Sequence, residues 1–190
     1  DEHGSVLHLG TRECTMQRKN QKLVEEAPAP FIPDDIRHEM EMCAVKIAKL
    51  AEYKNAGTVE FLLTEDNKFY FMEMNTRIQV EHPVTEAVYG IDLIKSQLQV
   101  ALNHKLVLEQ KDINASGHAI ECRINAENPE KNFAPSPGKI KSMQLPGGFG
   151  VRVDSGYVSR DKVSPFYDSM VLKIICHVET RDEAILYSHQ

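Results

Sequence analysis

The spacing of apolar and polar positions divides the chain into helical and extended stretches. Residues 4–9 and 22–25 read as short strands, and the run from Ala27 to Pro33, with three prolines, reads as a loop. Asp34 follows Pro33 as a good N-cap, and Ile36, Met40, Cys43, Ile47 and Leu50 then recur at spacings of four and three, which predicts a helix with one buried stripe. Thr58–Leu63 and Lys68–Glu73 are β-branched and aromatic runs flanking Glu65, Asp66 and Asn67, a hairpin pattern. A tight turn at Asp66 and Asn67 would pair Glu65 with Lys68, Leu62 with Phe71, and Glu60 with Glu73. Pro83 opens a short helix that Gly90 interrupts. Asp92 caps another, with Leu93, Gln97, Val100 and Ala101 on one face and Ile94, Leu98 and Leu102 alongside. Strands are then expected at 118–125, 139–145, 149–154 and 169–178, separated by Pro135, Pro137, Gly138, Pro146, Gly147 and Gly148. Arg181–Ile185 begins a last helix that Tyr187–Gln190 is not expected to continue.

This order of elements predicts an α+β chain in two units, residues 1–105 and 117–190, joined by a crossover at 106–116. Composition agrees with a packed protein: 42% hydrophobic and 26% charged residues over 190 positions. The net charge of −6 disfavours a nucleic-acid partner, which would call for a basic patch. No apolar run approaches the ~18 residues of a membrane span, and no signal peptide opens the chain, so a cytoplasmic protein is expected. Cys14, Cys43, Cys122 and Cys176 are far apart and read as reduced, mostly buried thiols. The seven methionines read as core filling, Gly147-Gly148 as a tight turn, and His82, His118 and His177 as structural.

The candidate chemistry lies in residues 73–83. Read as an extended strand, this segment puts Glu73, Asn75, Arg77, Gln79 and Glu81 on one face and Met74, Ile78 and Val80 on the other. Acids, amides and a cation in one row suit a ligand that brings both cations and anions, such as a metal with a nucleotide or a small oxyanion. Directly opposed residues have Cβ atoms about 4.5–5.5 Å apart, where like charges destabilise a sheet. Glu60 facing Glu73 therefore implies a cation between them, Mg²⁺ being the natural one, with Asn75 in reach. A register slip of one residue would instead separate the two glutamates.

The segment Glu73–Pro83 resembles the signature of biotin carboxylase, an ATP-grasp enzyme. The likeness continues through Gln17–Lys22 with Glu25–Pro28, Ala56–Phe61, Glu121–Glu127, Pro135–Ile140, Pro146–Arg152 and Tyr167–Met170. It implies the C-terminal part of an ATP-grasp domain, an antiparallel sheet with helices, followed by the strand-rich biotin carboxylase C-terminal domain. By the same resemblance Glu60 and Glu73 would hold Mg²⁺ or Mn²⁺ bridging the ATP phosphates, with Asn75 assisting. Lys22, Arg77, Gln79 and the Val80 backbone would hold bicarbonate. Glu81 would be the base that deprotonates it for attack on the γ-phosphate, Arg123 would stabilise the biotin enolate, and Gln17 and Asn20 would lie by the nucleotide. Asp168 falls near the biotin pocket of related enzymes, and Phe149 and Arg152 fall at their dimer contact, although Phe149 would suit a core equally.

Physical chemistry is consistent with these roles. A guanidinium can grip two oxygens of a planar oxyanion, and an ammonium adds a point charge. A carboxylate beside such cations, as Glu81 would be, is held in its charged form. An enolate needs a fixed cation, which Arg123 could supply; on pattern alone Arg123 reads first as a surface strand charge paired with Glu121, and the resemblance reverses that preference.

The resemblance also implies partners: a biotin carboxyl carrier protein or domain, a carboxyltransferase, and a second copy in a homodimer formed through the C-terminal domain. It suggests a stand-alone subunit of a bacterial-type acetyl-CoA carboxylase of fatty acid biosynthesis, with acyl specificity set by the carboxyltransferase. The chain starts where the family has spent roughly half its length, without the N-terminal domain, the glycine-rich lid or the adenine-binding residues, so it is expected to be a fragment that does not turn over alone. Asn20 stands where many members have His. The alternatives are another ATP-grasp carboxylate ligase, which Glu60, Glu73 and Asn75 would serve as well, and a non-catalytic remnant.

Overall fold

The computed structural model describes residues 1–189. In chain order the elements are β1 (Gln17–Arg18), β2 (Gln21–Lys22), β3 (Val24–Ala27), α1 (Asp34–Leu50), β4 (Thr58–Leu63), β5 (Phe69–Asn75), α2 (His82–Tyr89), α3 (Leu93–Ala101), β6 (His118–Asn125), β7 (Glu127–Asn128), β8 (Ala134–Pro135), β9 (Gly138–Lys139), β10 (Val151–Ser155), β11 (Lys162–Val163), β12 (Met170–Val178) and α4 (Arg181–Ser188). They form two compact units, one of residues 1–13 with 27–116 and the other of residues 14–26 with 117–190. Among the described residues no helix is long and apolar enough to cross a membrane.

In the first unit, residues 4–9 form no strand, contrary to the pattern. Both backbone groups of His8 are taken by the Gln110 side chain, at 2.9 and 3.0 Å, in place of a sheet partner. Helix α1 starts at Asp34 as expected. Pro33 occupies the cap position, however, and Asp34 and Asp35 instead place negative charge in the first turn, where the helix dipole favours it. Its buried residues are Met40 and Val45, while Leu50, expected in the stripe, is 77% exposed. Asp92 caps α3 by accepting from the Lys95 backbone N–H at 2.7 Å, and Gly90 closes α2 in the left-handed conformation. The second apolar row of α3, Ile94, Leu98 and Leu102, is exposed.

The hairpin differs from expectation in two places that cancel. Its turn spans three residues, closed by Thr64 N–H to Lys68 C=O at 2.9 Å with Asn67 at φ +58°, so Lys68 stands across from Thr64 and not Glu65, and its ammonium pairs with Asp66 in the turn. Leu62 accordingly faces Tyr70, and Phe61 faces Phe71. The register then shifts by one between Glu60 and Phe61, opposite the extra residue Met72, and this bulge brings Glu60 back across from Glu73. Strand β5 ends at Asn75, so the expected extension through Glu81 is replaced by a loop and a turn leading into α2.

In the second unit the main sheet has the order β10-β12-β6-β3, with β10, β12 and β6 antiparallel. The stretch expected to be one strand at 22–25 is divided at Leu23, whose N–H donates to Met16 and whose C=O accepts from Arg123. Of the expected 139–145 strand only Lys139 is extended, in the two-residue β9 that starts at Gly138 and pairs with β11. Helix α4 continues through Ser188, further than the pattern predicted, because a capping box of Thr180 and Glu183 fixes its start and Ala184 is fully buried against Ile120 and Val178. All four cysteines are free, but only Cys176 is buried. The methionines are less internal than expected: Met40 alone is buried, and Met16, Met42 and Met72 are exposed.

Candidate active site

Side chains from β4, β5 and the loop after β5 converge in the first unit. The Asn75 Nδ2 group donates to Glu60 Oε1 at 3.2 Å and to Glu73 Oε1 at 2.9 Å, so one amide spans the opposed glutamates. Gln79 Nε2 donates to the same Glu60 oxygen at 2.7 Å. Arg77 donates to Asn75 Oδ1 at 3.2 Å and to the Ile78 carbonyl at 3.1 Å, which holds an exposed guanidinium beside the group. Gln79 and Glu81 are buried, Glu81 to 2% exposure, and Val80 and Glu81 form the turn that His82 N–H closes onto Gln79 C=O at 3.2 Å. His82 also places Nδ1 2.9 Å from that carbonyl, in keeping with a structural role.

Glu60, Glu73, Asn75, Arg77 and Gln79 thus form one hydrogen-bonded set. Sequence pattern missed Arg12, which anchors it: its guanidinium donates to Gln79 Oε1 at 2.6 Å, to Thr85 Oγ1 at 2.9 Å and to Thr58 Oγ1 at 3.1 Å. These partners lie 46 to 73 positions away, beyond any local periodicity. The two carboxylates offer hard oxygen donors of the kind Mg²⁺ takes together with water and phosphate, while the Asn75 amide turns its N–H₂ to them and its oxygen to Arg77, so it is the carboxylate pair that fits that ion. Among the described residues no cluster of three His, Cys, Asp or Glu side chains offers an alternative.

The second unit carries Gln17, Asn20, Lys22, Arg123 and Asp168. Gln17 and Lys22 face each other at the base of the β1–β2 hairpin, whose two turn residues, Lys19 and Asn20, both have positive φ (51° and 62°). An asparagine suits this geometry, which gives Asn20 a backbone reason for its identity. Gln17 donates to the Cys14 carbonyl at 3.0 Å, and half-buried Lys22 lies on β2. Asp168 accepts from the Met170 N–H at 2.7 Å, anchoring the start of β12.

Arg123 is paired with Glu25, a partner that pattern alone had not offered. Its Nε donates at 2.7 Å to Oε1 of Glu25, a fully buried carboxylate on β3, while Glu121 lies 4.0 Å from the Lys173 ammonium. Lys173 stands directly across from Arg123 and from Asp154, and its ammonium is 3.8 Å from the Asp154 carboxylate. The two adjacent cations are therefore balanced by acids on the outer strands and by Glu121. Glu25 was missed as a site residue; the available signal was two consecutive acids on one strand, which must face opposite ways and each find a cation.

The other of those acids, Glu26, meets His118 Nε2 at 2.7 Å and Arg181 at 2.7 and 3.0 Å. Burial opposes its charge, but hydrogen bonds from His118 and Arg181 outweigh burial and hold the carboxyl at about 2. Burial, with nearby Cys176, Glu25 and Glu121, pushes the Cys122 thiol up to about 11, which leaves it unreactive. Phe149 is 86% exposed, which rules out a core role, and Arg152 makes a two-point pair with Asp154 at 2.8 and 2.9 Å.

Two family profiles match the chain in succession: the carbamoyl-phosphate synthase L chain, ATP binding domain, over residues 1–109, and the biotin carboxylase C-terminal domain over residues 121–189. The chain is 56% identical over 186 residues to biotin carboxylase 1 of Bacillus subtilis, covering 97% of this chain and 41% of that protein. It is 53% identical to the chloroplastic biotin carboxylase of Arabidopsis thaliana, covering 97% of this chain and 34% of that one. Among solved structures, the biotin carboxylase domain dimer of Hydrogenobacter thermophilus 2-oxoglutarate carboxylase, in complex with MgADP, ADP and bicarbonate, superposes with a TM-score of 0.96 at 46% identity, covering 99% of this chain and 42% of that one. The chain spans between a third and about two fifths of the length of these relatives. With both profiles falling in order and the likeness extending over nearly every residue, the chain belongs to the biotin carboxylase family.

Proposed function

We propose that the complete protein carboxylates biotin on a carrier, using ATP and bicarbonate, as the first half-reaction of a biotin-dependent carboxylase. The observation that carries this reading is the opposed pair Glu60 and Glu73, spanned by Asn75 and joined to Arg77 and Gln79 in one hydrogen-bonded set. It combines carboxylates for a metal–nucleotide with donors for an oxyanion.

Glu60 and Glu73, with Asn75 assisting, would hold Mg²⁺ or Mn²⁺, and the ion would supply charge to neutralise the phosphates. Gln17 and Asn20 contact the nucleotide. Arg77, Lys22, Gln79 and the Val80 N–H bind bicarbonate, Arg77 through its fork and Lys22 as a point charge. Glu81 takes the bicarbonate proton as oxygen attacks the γ-phosphorus, giving carboxyphosphate and ADP. Carboxyphosphate breaks down to CO₂ and phosphate, and the phosphate removes the proton from biotin N1. Arg123, held by Glu25, stabilises the resulting enolate, with Asp168 at the biotin pocket. CO₂ then joins N1.

A separate subunit is favoured over one module of a multifunctional chain, since among solved structures identity is 49% to the biotin carboxylase subunit of a pyruvate carboxylase but 42% to the complete multifunctional pyruvate carboxylase of Rhizobium etli. Its partners are a biotin carrier, a carboxyltransferase and a second copy of itself through the C-terminal unit. We choose acetyl-CoA as final acceptor and the cytoplasm as its place, a compartment that suits four free thiols. Residues 1–190 alone are not expected to turn over.

The test is ADP formation by the complete reading frame, with and without bicarbonate and free biotin. Turnover that requires bicarbonate, rises with biotin and falls at least about 100-fold in Glu81→Gln is expected. Turnover indifferent to both ligands would favour another carboxylate ligase. Reconstitution with carrier and carboxyltransferase, offered acetyl-CoA or pyruvate, decides the acceptor.

A further inference from the structure

We infer that Arg12 is a positioning residue for bicarbonate, acting through Gln79; this rests on the bicarbonate reading of the site. A guanidinium has five N–H donors and no acceptor. The Gln79 atom that lies 2.6 Å from Arg12 must therefore be its carbonyl oxygen, and the amide orientation is settled by chemistry. The Gln79 amino group then points the other way, to Glu60 Oε1 at 2.7 Å. With Arg12 absent, the amide is held by Glu60 from its amino side only, and its buried oxygen loses the donor that fixes it. Arg12 thus pins the amide from its oxygen end while Glu60 holds its amino end, so that Gln79 keeps its N–H donors turned to the side on which bicarbonate is proposed to bind.

The arrangement is built to be rigid. Gln79 is 6% exposed and Thr85 3% exposed, so the polar atoms around the guanidinium have little access to water. Through Thr58, Gln79 and Thr85 the one side chain ties β4, the loop after β5, and α2 together. A lysine in its place is a point charge with three donors on a flexible stem and cannot hold all three acceptors in that fork.

The test is a mutant cycle on the complete enzyme. Arg12→Met is expected to raise the bicarbonate KM about tenfold or more, with the ATP KM within about twofold, and Arg12→Lys to raise it about threefold. Because Arg12 acts through Gln79, the double variant Arg12→Met/Gln79→Ala should be no worse than Gln79→Ala alone. A bicarbonate KM unmoved in both Arg12 variants, or additive losses in the double variant, overturns the inference. Arg12→Lys carries the cycle if Arg12→Met does not fold. NMR of the glutamine-labelled protein reads the orientation independently of any reaction. The Gln79 side-chain N–H₂ should exchange slowly in the native protein and quickly in the Arg12 variants, and unchanged exchange also overturns the inference. An absence of bicarbonate-dependent turnover in the unmodified enzyme would sink the reading of the reaction, while the exchange data would still decide the role of Arg12.

Discussion

Glu60 stands directly across the hairpin from Glu73, and the Asn75 amide donates to both carboxylates, at 3.2 and 2.9 Å. Opposed acids cost a sheet stability, and a bulge at Met72 is what puts them face to face. Without that extra residue the three-residue turn would set Glu60 opposite Met72. The strand geometry therefore gives up some stability to bring two carboxylates together, as expected of a cation site.

Replacing Glu73 with Gln removes the repulsion and the ligand together. In chelator, Glu73→Gln should be as stable as the native protein or more so, by about 0.2–1 kcal/mol. ATP turnover with Mg²⁺ in the complete enzyme should fall at least about 100-fold. Thermal unfolding with chelator and an ADP assay measure the two effects, and a lowered midpoint in chelator would contradict the account.

Glu25 and Arg123 form a pair with one partner fully buried. Breaking such a pair leaves an uncompensated charge and costs about 3 kcal/mol, whereas replacing both partners with apolar side chains is close to neutral. Glu25→Leu and Arg123→Met should each lower the urea midpoint, and the double variant should recover most of the loss. Additive losses would mean that the two side chains do not depend on each other. Biotin stimulation should be lost in all three.

Much of this was legible in the sequence. The residues of the signature announced their chemistry, because five polar side chains of mixed type have no shared structural purpose on a solvated strand. The facing of Glu60 and Glu73 was reached by assuming a two-residue turn; the actual turn is one longer, and the bulge at Met72 restores the pairing. Alternation could not reveal that the strand ends at Asn75, nor that the loop beyond it buries the polar side chains Gln79 and Glu81. Arg12 and the Glu25–Arg123 pair were hidden for one reason: their partners are set by tertiary folding across 46 to 98 positions, and no period spans such distances. Leu50 and the methionines misled because apolar character alone does not establish burial.

Acid sensitivity should trace to Glu26. Its carboxyl is held at about 2 in the folded protein, below the ordinary value of 4.5, so it binds fewer protons folded than unfolded. Its contribution is complete above about pH 5 and is lost as pH falls through 4.5 towards 2. After allowance for solvent screening the effect is on the order of 2 kcal/mol. Urea unfolding at pH 5.5 and 3.5 should show a smaller loss for Glu26→Gln than for the native protein, and equal losses would remove Glu26 from the account.

Two glycines of the second unit offer a matched test of backbone geometry. Gly150 precedes β10 at φ +73°, and a Cβ there would lie 2.6 Å from the His177 carbonyl oxygen and 3.0 Å from Val178 Cγ1. Its own carbonyl accepts from His177 N–H at 2.8 Å, so the chain cannot back away without breaking a bond that joins it to β12. Gly156, just after β10, has no such φ, and a Cβ there would meet nothing within 4 Å. Gly150→Ala should therefore cost about 2–3 kcal/mol, from strain together with the clash. Gly156→Ala should be neutral or gain up to about 1 kcal/mol, by narrowing the unfolded ensemble. Thermal or urea unfolding of the two variants side by side measures the difference. Equal effects would mean that the turn into β10 relaxes around a methyl group, and that the close approach of Gly150 to β12 does not require glycine.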